Sequence, residues 1–151
     1  MKPKLLYHGS GKNLEGSYLR PKRANDLGGK KANSYIGVYA SDLKEEAIVM
    51  GIISGKTNAG AMVGVTKGKV SAIIYGNWPS NKYFYLHILS SEKFRNQPRG
   101  SHQWISFKSV KPKETMRLKV DDYKRLVRRA TKIERAKWRE KFSKEIKRVK
   151  K

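Results

Sequence analysis

The sequence predicts an α+β fold, and three observations carry that reading. Short runs rich in aromatic and β-branched residues, each closed by glycine or a turn, recur between Leu5 and Val120 and read as strands of a mixed or antiparallel sheet. One apolar helical segment, Ala47-Ile48 to Ile52-Ile53, follows the second strand behind the acidic pair Glu45-Glu46. A second, densely basic helical pattern fills the chain beyond Asp121.

Composition narrows what such a fold can do. The 151 residues are 38% hydrophobic, enough for one core, so one domain is expected over residues 1–120 with a basic amphipathic helical extension over 121–151. Thirty-five Lys and Arg against twelve Asp and Glu give +23, a self-repelling surface that suits a polyanionic partner such as nucleic acid or a ribonucleoprotein. A generally basic proteome, or a partner with an acidic patch, is the competing account of the charge. With no cysteine there are no disulfides, no thiol catalysis and no Cys-based metal site, which fits a reducing cytoplasm. Three separated histidines offer no metal-ligand spacing. No apolar run approaches the roughly 18 residues of a membrane span. Met1-Lys2-Pro3-Lys4 has no apolar stretch behind it, so neither membrane nor signal peptide is expected.

Taken in order, Leu5-Leu6-Tyr7-His8 reads as the first strand, turning at once through Gly9-Ser10-Gly11, which sets His8 at a strand mouth where it can meet a ligand. The polar segment from Gly9 to Asn33 carries Leu14, Tyr18 and Leu19 as anchors. Its cations Arg20, Lys22 and Arg23 surround Pro21, in a loop that either binds phosphate or is simply solvated. Tyr35 to Ala40 is the second strand, with Gly37 marking a close approach, and Ser41 or Asp42 is expected to cap the following helix. Ala61–Val65, Val70–Tyr75 and Tyr83–Leu89 read as strands separated by Lys67-Gly68 and by Gly76 to Ser80. His87, inside an apolar run, reads as a packed residue. Gln103 to Phe107 and Val110 to Val120 complete the sheet. His102, in the loop before Gln103, is a candidate base on the substrate side.

Beyond Asp121, the recurrence of Tyr123, Leu126, Val127, Ala130, Ile133 and Trp138 predicts one continuous helix, its first half packed and its last turns free. It holds fourteen Lys and Arg against five acids, and Arg128, Arg129, Arg135, Lys147 and Arg148 are the candidate nucleic-acid contacts.

Three of these segments resemble a known family. Leu6-Tyr7-His8-Gly9-Ser10 resembles the Leu-Trp-His-Gly-Ser strand of poly(ADP-ribose) polymerases and diphtheria-toxin-like ADP-ribosyltransferases. Gly37-Val38-Tyr39-Ala40-Ser41-Asp42 is similar to their Gly-Ile-Tyr-Phe-Ala-Asp strand, and His102-Gln103-Trp104-Ile105 to their Asn-Glu-Tyr-hydrophobic strand, in the family's order across residues 5 to 120. The resemblance implies a split, clam-like sheet holding NAD as substrate in its cleft. It places His8 on the adenosine-side ribose, Gly9 on the nicotinamide amide, Tyr39 against the nicotinamide ring and Gln103 in the catalytic glutamate's place. Ser10, Arg20 and Ser41 join the cofactor-binding set, with Arg20, Lys22 and Arg23 toward the pyrophosphate. The chemistry needs such groups: breaking the nicotinamide–ribose bond passes through an oxocarbenium-like cation, which calls for fixed ribose hydroxyls, an aromatic face and an acceptor beside the reacting carbon.

Gln103 departs from the family. An amide accepts from a hydroxyl but has no charge to steady a cation or take a proton. Only Glu92 and Glu114 lie between the two helical segments as substitutes. This argues against chain elongation and leaves mono-ADP-ribosyl transfer to a nucleic acid or nucleic-acid-associated protein as the leading expectation. Two alternatives stay open: a non-catalytic RNA- or DNA-binding protein on the same fold, and an RNA 2′-phosphotransferase-like NAD-consuming enzyme, whose additional strand arginines find no match here.

Overall fold

The computed structural model describes residues 2–23, 35–54 and 60–150, with side chains described as far as residue 141. Alternating or continuous apolar runs become strands near where the sequence places them: β1 (Leu5–Ser10), β3 (Ile36–Ser41), β4 (Ala61–Thr66), β5 (Lys69–Ile74), β6 (Tyr83–Ser90), β8 (Gln103–Ser106) and β9 (Glu114–Lys119). Two bounds differ from the sequence reading: β1 runs on through Gly9 and Ser10, held by pairing with Leu86 and Tyr85 of β6, so His8 lies inside the strand and not at its mouth, and β9 begins only at Glu114. Three shorter strands join them, β2 (Lys22–Arg23), β7 (Arg95–Asn96) and β10 (Val127–Arg129). The fold is α+β, as expected, with mostly antiparallel pairing. A seven-stranded sheet runs β7-β8-β3-β1-β6-β9 with β2 pairing onto β3, and a three-stranded sheet runs β10-β5-β4. β4 and β5 meet through a two-residue turn, Lys67 at φ 51° and Gly68 at φ 77°, the left-handed pair that lets a tight hairpin follow the strand twist.

Helix α1 (Lys44–Ile53) is apolar on most of its circumference because it lies between the two sheets. One core cluster joins its Ala47, Ile48, Val49 and Ile52 to Phe84 and Leu86 of β6 and to Val70, Ala72 and Ile74 of β5. The opposite face of the large sheet has its own cluster, in which Leu6, Val38, Ala40, Leu89 and Trp104 close over Leu19, Phe94 and Val110. The period-2 alternation of β1, β3 and β6 therefore serves two cores.

The C-terminal segment differs from the single helix that its spacing predicts. Val120–Leu126 is a 3-10 segment, Val127–Arg129 pairs in parallel with β5 at Val127↔Ala72, and the helix α2 (Lys132–Lys150) begins only at Lys132. The start of α2 is set by a capping box: Thr131 Oγ1 accepts from the Glu134 N–H at 3.1 Å, and Glu134 Oε1 accepts from the Thr131 N–H at 2.9 Å. Trp138 docks the helix by stacking on Tyr75, ring centroids 5.3 Å apart and 9° from parallel. No helix among the described residues is long and apolar enough to cross a membrane.

Candidate active site

The three strands carrying the family-like motifs are immediate neighbours, in the order β8-β3-β1. Gln103 stands opposite Ser41, and Ser41 opposite Tyr7, so one row crosses all three. Tyr39 and Gln103 share a face of the β3–β8 pair by register. The β1–β3 ladder, however, registers a single pair, Tyr7↔Ser41. Continued, it would set Gly9 opposite Tyr39, but among the described residues no pair forms there and the sheet opens.

His8 spans that opening. Its Nδ1 lies 2.6 Å from the Tyr39 carbonyl oxygen, so an imidazole meets this carbonyl where a main-chain N–H would otherwise do so. A carbonyl only accepts, so the neutral ring carries its proton on Nδ1 and keeps a lone pair on Nε2. Burial of the ring holds its pKa down to about 4. The Tyr39 hydrogen bond opposes that shift, while neighbouring His87 and the Lys22 ammonium add to it. At neutral pH His8 is therefore uncharged, with an acceptor to offer.

Tyr39 is held at both ends: its carbonyl by His8, and its hydroxyl by donation to the Tyr35 carbonyl at 2.6 Å. Burial pushes that hydroxyl up, against the pull of the Tyr35 carbonyl and the nearby Arg23 charge. Lys22 and Arg23 form β2, paired to Gly37 and Ile36, which fixes two exposed cations within electrostatic reach of His8 and Tyr39; Arg20 is exposed just before them. Gly9 is fixed by packing: a Cβ there would lie 1.8 Å from the Ala47 carbonyl oxygen and 2.5 Å from the Gly51 nitrogen of α1. Ser10 and Ser41 are engaged locally, their hydroxyls accepting from the N–H groups of Lys12 and Leu43 at 3.0 Å each.

Gln103 is held by its loop, with Nε2 donating to the Gln97 carbonyl at 2.8 Å. An ionised glutamate could not make that bond. Beside it lies a pair that the sequence did not disclose. Asp42, expected as a helix cap, leaves that place to Leu43, which has no side-chain cap, and accepts instead from His102 Nδ1 at 2.7 Å and Trp104 Nε1 at 3.0 Å. His102 is exposed, and its second ring nitrogen is oriented by the carboxylate behind it. The readable signal was the adjacency of His102 to Gln103; the partner is 60 residues away.

The sequence-predicted nucleic-acid contacts are dispersed. Arg128 is held by Glu134 through two nitrogens at 2.9 Å each, while Arg129 and Arg135 lie on β10 and the first turn of α2. Lys147 and Arg148 fall on the last turns of α2, and their side chains lie outside the described residues. Among the described residues no cluster of three or more His, Cys, Asp or Glu side chains is arranged to hold a metal ion. A groove of about 570 Å³ lies at the start of β1, lined by residues such as Lys4, Leu5, Ser90 and Lys113, and includes none of the candidate site residues.

Comparison with known proteins found no matching family model, no matching curated relative and no matching solved structure.

Proposed function

We propose that this chain is an NAD-dependent mono-ADP-ribosyltransferase acting on a nucleic acid or a nucleic-acid-bound protein. The observation that carries the reading is the opening of the sheet between Gly9 and Tyr39, spanned by a neutral His8 whose Nε2 lone pair can accept a ribose hydroxyl. Across the opening His8 and Tyr39 present their side chains to opposite faces of the sheet by register; Tyr39, on the Gln103 face, supplies the aromatic surface for nicotinamide, and Lys22 and Arg23, with Arg20, supply cations for the pyrophosphate. The C1′–N bond breaks with its electron pair leaving on nicotinamide. The acceptor X–H adds to C1′, and its proton passes to His102 Nε2, with Asp42 steadying the imidazolium. His102 thus takes a role that the uncharged Gln103 cannot perform.

The test is nicotinamide release and label transfer from NAD in the presence of RNA, DNA and cell extract. Both activities are expected in the wild type and lost in Tyr39→Ala. Intact NAD after long incubation would sink the reading. The Gln103–Gln97 bond favours a second one, a non-catalytic nucleic-acid-binding protein on the same fold, because it gives the glutamine a structural reason to be there. Calorimetry with NAD separates the two, since the second expects no heat.

A further inference from the structure

We infer that the open face of β1-β6-β9 is a binding platform for single-stranded nucleic acid. It deepens the polyanion part of the proposed function and does not depend on NAD. Register places its residues on one face: Tyr83 opposite Lys119, Tyr85 opposite Arg117, and Ser10 on the other side of Tyr85. The reverse face carries Phe84 and Leu86 and is closed by the core beneath α1. At its other end the platform face is closed too, where Leu6 and Leu89 enter the second core cluster.

Between these ends the two tyrosines are half-exposed, and Arg117 and Lys119 are exposed. Arg117 lies over the Tyr83 ring, 4.6 Å from its centroid. Lys12 is brought to the same face by His87, whose Nε2 contacts the Lys12 carbonyl at 3.3 Å while its Nδ1 meets Thr115 Oγ1 at 2.9 Å. The three strands place no carboxylate on this face.

Aromatic rings interleaved with cations that form no ion pair among the described residues match the chemistry of an unstacked strand, whose bases stack on tyrosine or on the arginine plane while phosphates meet the cations. A duplex hides its base faces and would use only the cations. The occupant is therefore a single strand. The Ser10–Tyr85 row lies two residues from His8, roughly 7 Å along β1 and on the same face, so a strand bound there passes beside His8.

The experiment is fluorescence anisotropy, without NAD, on a labelled single strand of about 12 nucleotides and on its duplex. Tyr85→Leu and Tyr83→Leu are expected to weaken single-strand binding about tenfold each and duplex binding little. Arg117→Gln and Lys119→Gln are expected to lower the log–log salt slope by about one each. Circular dichroism checks each fold, and the two exposed-cation variants keep the test valid if a tyrosine variant misfolds. Wild-type affinity in folded platform variants would overturn the inference, as would duplex or anionic phosphatidylglycerol vesicles binding as tightly as the single strand. Strand binding without nicotinamide release would defeat the transferase reading and leave the platform standing. Nicotinamide release with platform variants binding normally would do the reverse.

Discussion

Acidification should destabilise this protein through His8, by an amount that one substitution isolates. The ring's pKa falls from the ordinary 6.5 to about 4 on folding, because burial penalises its charged form. Between those values the unfolded chain binds one more proton than the folded one, so stability rises with pH across the window and is lost as pH falls through it. The slope is about 1.4 kcal/mol per pH unit, so going from about pH 7 to about pH 5 should remove about 2 kcal/mol through this residue. His8→Asn is the matched control: its amide nitrogen can donate to the Tyr39 carbonyl as Nδ1 does, but it does not titrate. Carboxylates contribute equally to both proteins and cancel in the difference, and His87, whose pKa burial also lowers, enters only through its smaller coulombic coupling to His8. Urea denaturation at the two pH values measures it, and the wild type should lose about 2 kcal/mol more than the variant. Equal losses, or a His8 NMR resonance titrating near 6.5, would refute the burial of the ring on which the site is built.

Three further outcomes follow from the geometry. Gly9→Ala forces a methyl into the Ala47 carbonyl, so it should cost roughly 3 kcal/mol or more, read as a lowered urea midpoint. Gln103→Glu sets a carboxylate against the Gln97 carbonyl, now 2.8 Å from Nε2, and should cost about 1–3 kcal/mol while raising nicotinamide release if the cleft works on NAD. His102→Ala should abolish label transfer to an acceptor yet leave slow NAD hydrolysis, because solvent water can trap the cation and pass its proton to bulk water; a parallel loss of both would assign His102 a structural role instead.

The strands were legible where burial repeats at period two or runs unbroken, as in Tyr83–Leu89, and α1 was legible from its acidic start and apolar body. The segment after Val120 was not. Tyr123, Leu126, Val127 and Ala130 fit a helical period, yet Val127–Arg129 gains ladder bonds from β5 and buries Val127 there, and this pairing outweighs local propensity. The start of α2 was readable in principle as the capping box Thr131–Glu134.

At the site, the sequence alone determined which residue types could do the chemistry and the order in which they occur, since His8, Tyr39 and Gln103 each lie on a strand that its own pattern announces, His8 and Tyr39 inside theirs and Gln103 at the start of its own. Tertiary structure decided the rest. The split at Tyr7–Ser41, the proton position on His8, the pairing of Asp42 with His102 and the platform of Tyr83, Tyr85 and Arg117 all join residues far apart in the chain. Local pattern reports what a residue does to its own backbone; register between strands decides which side chains meet.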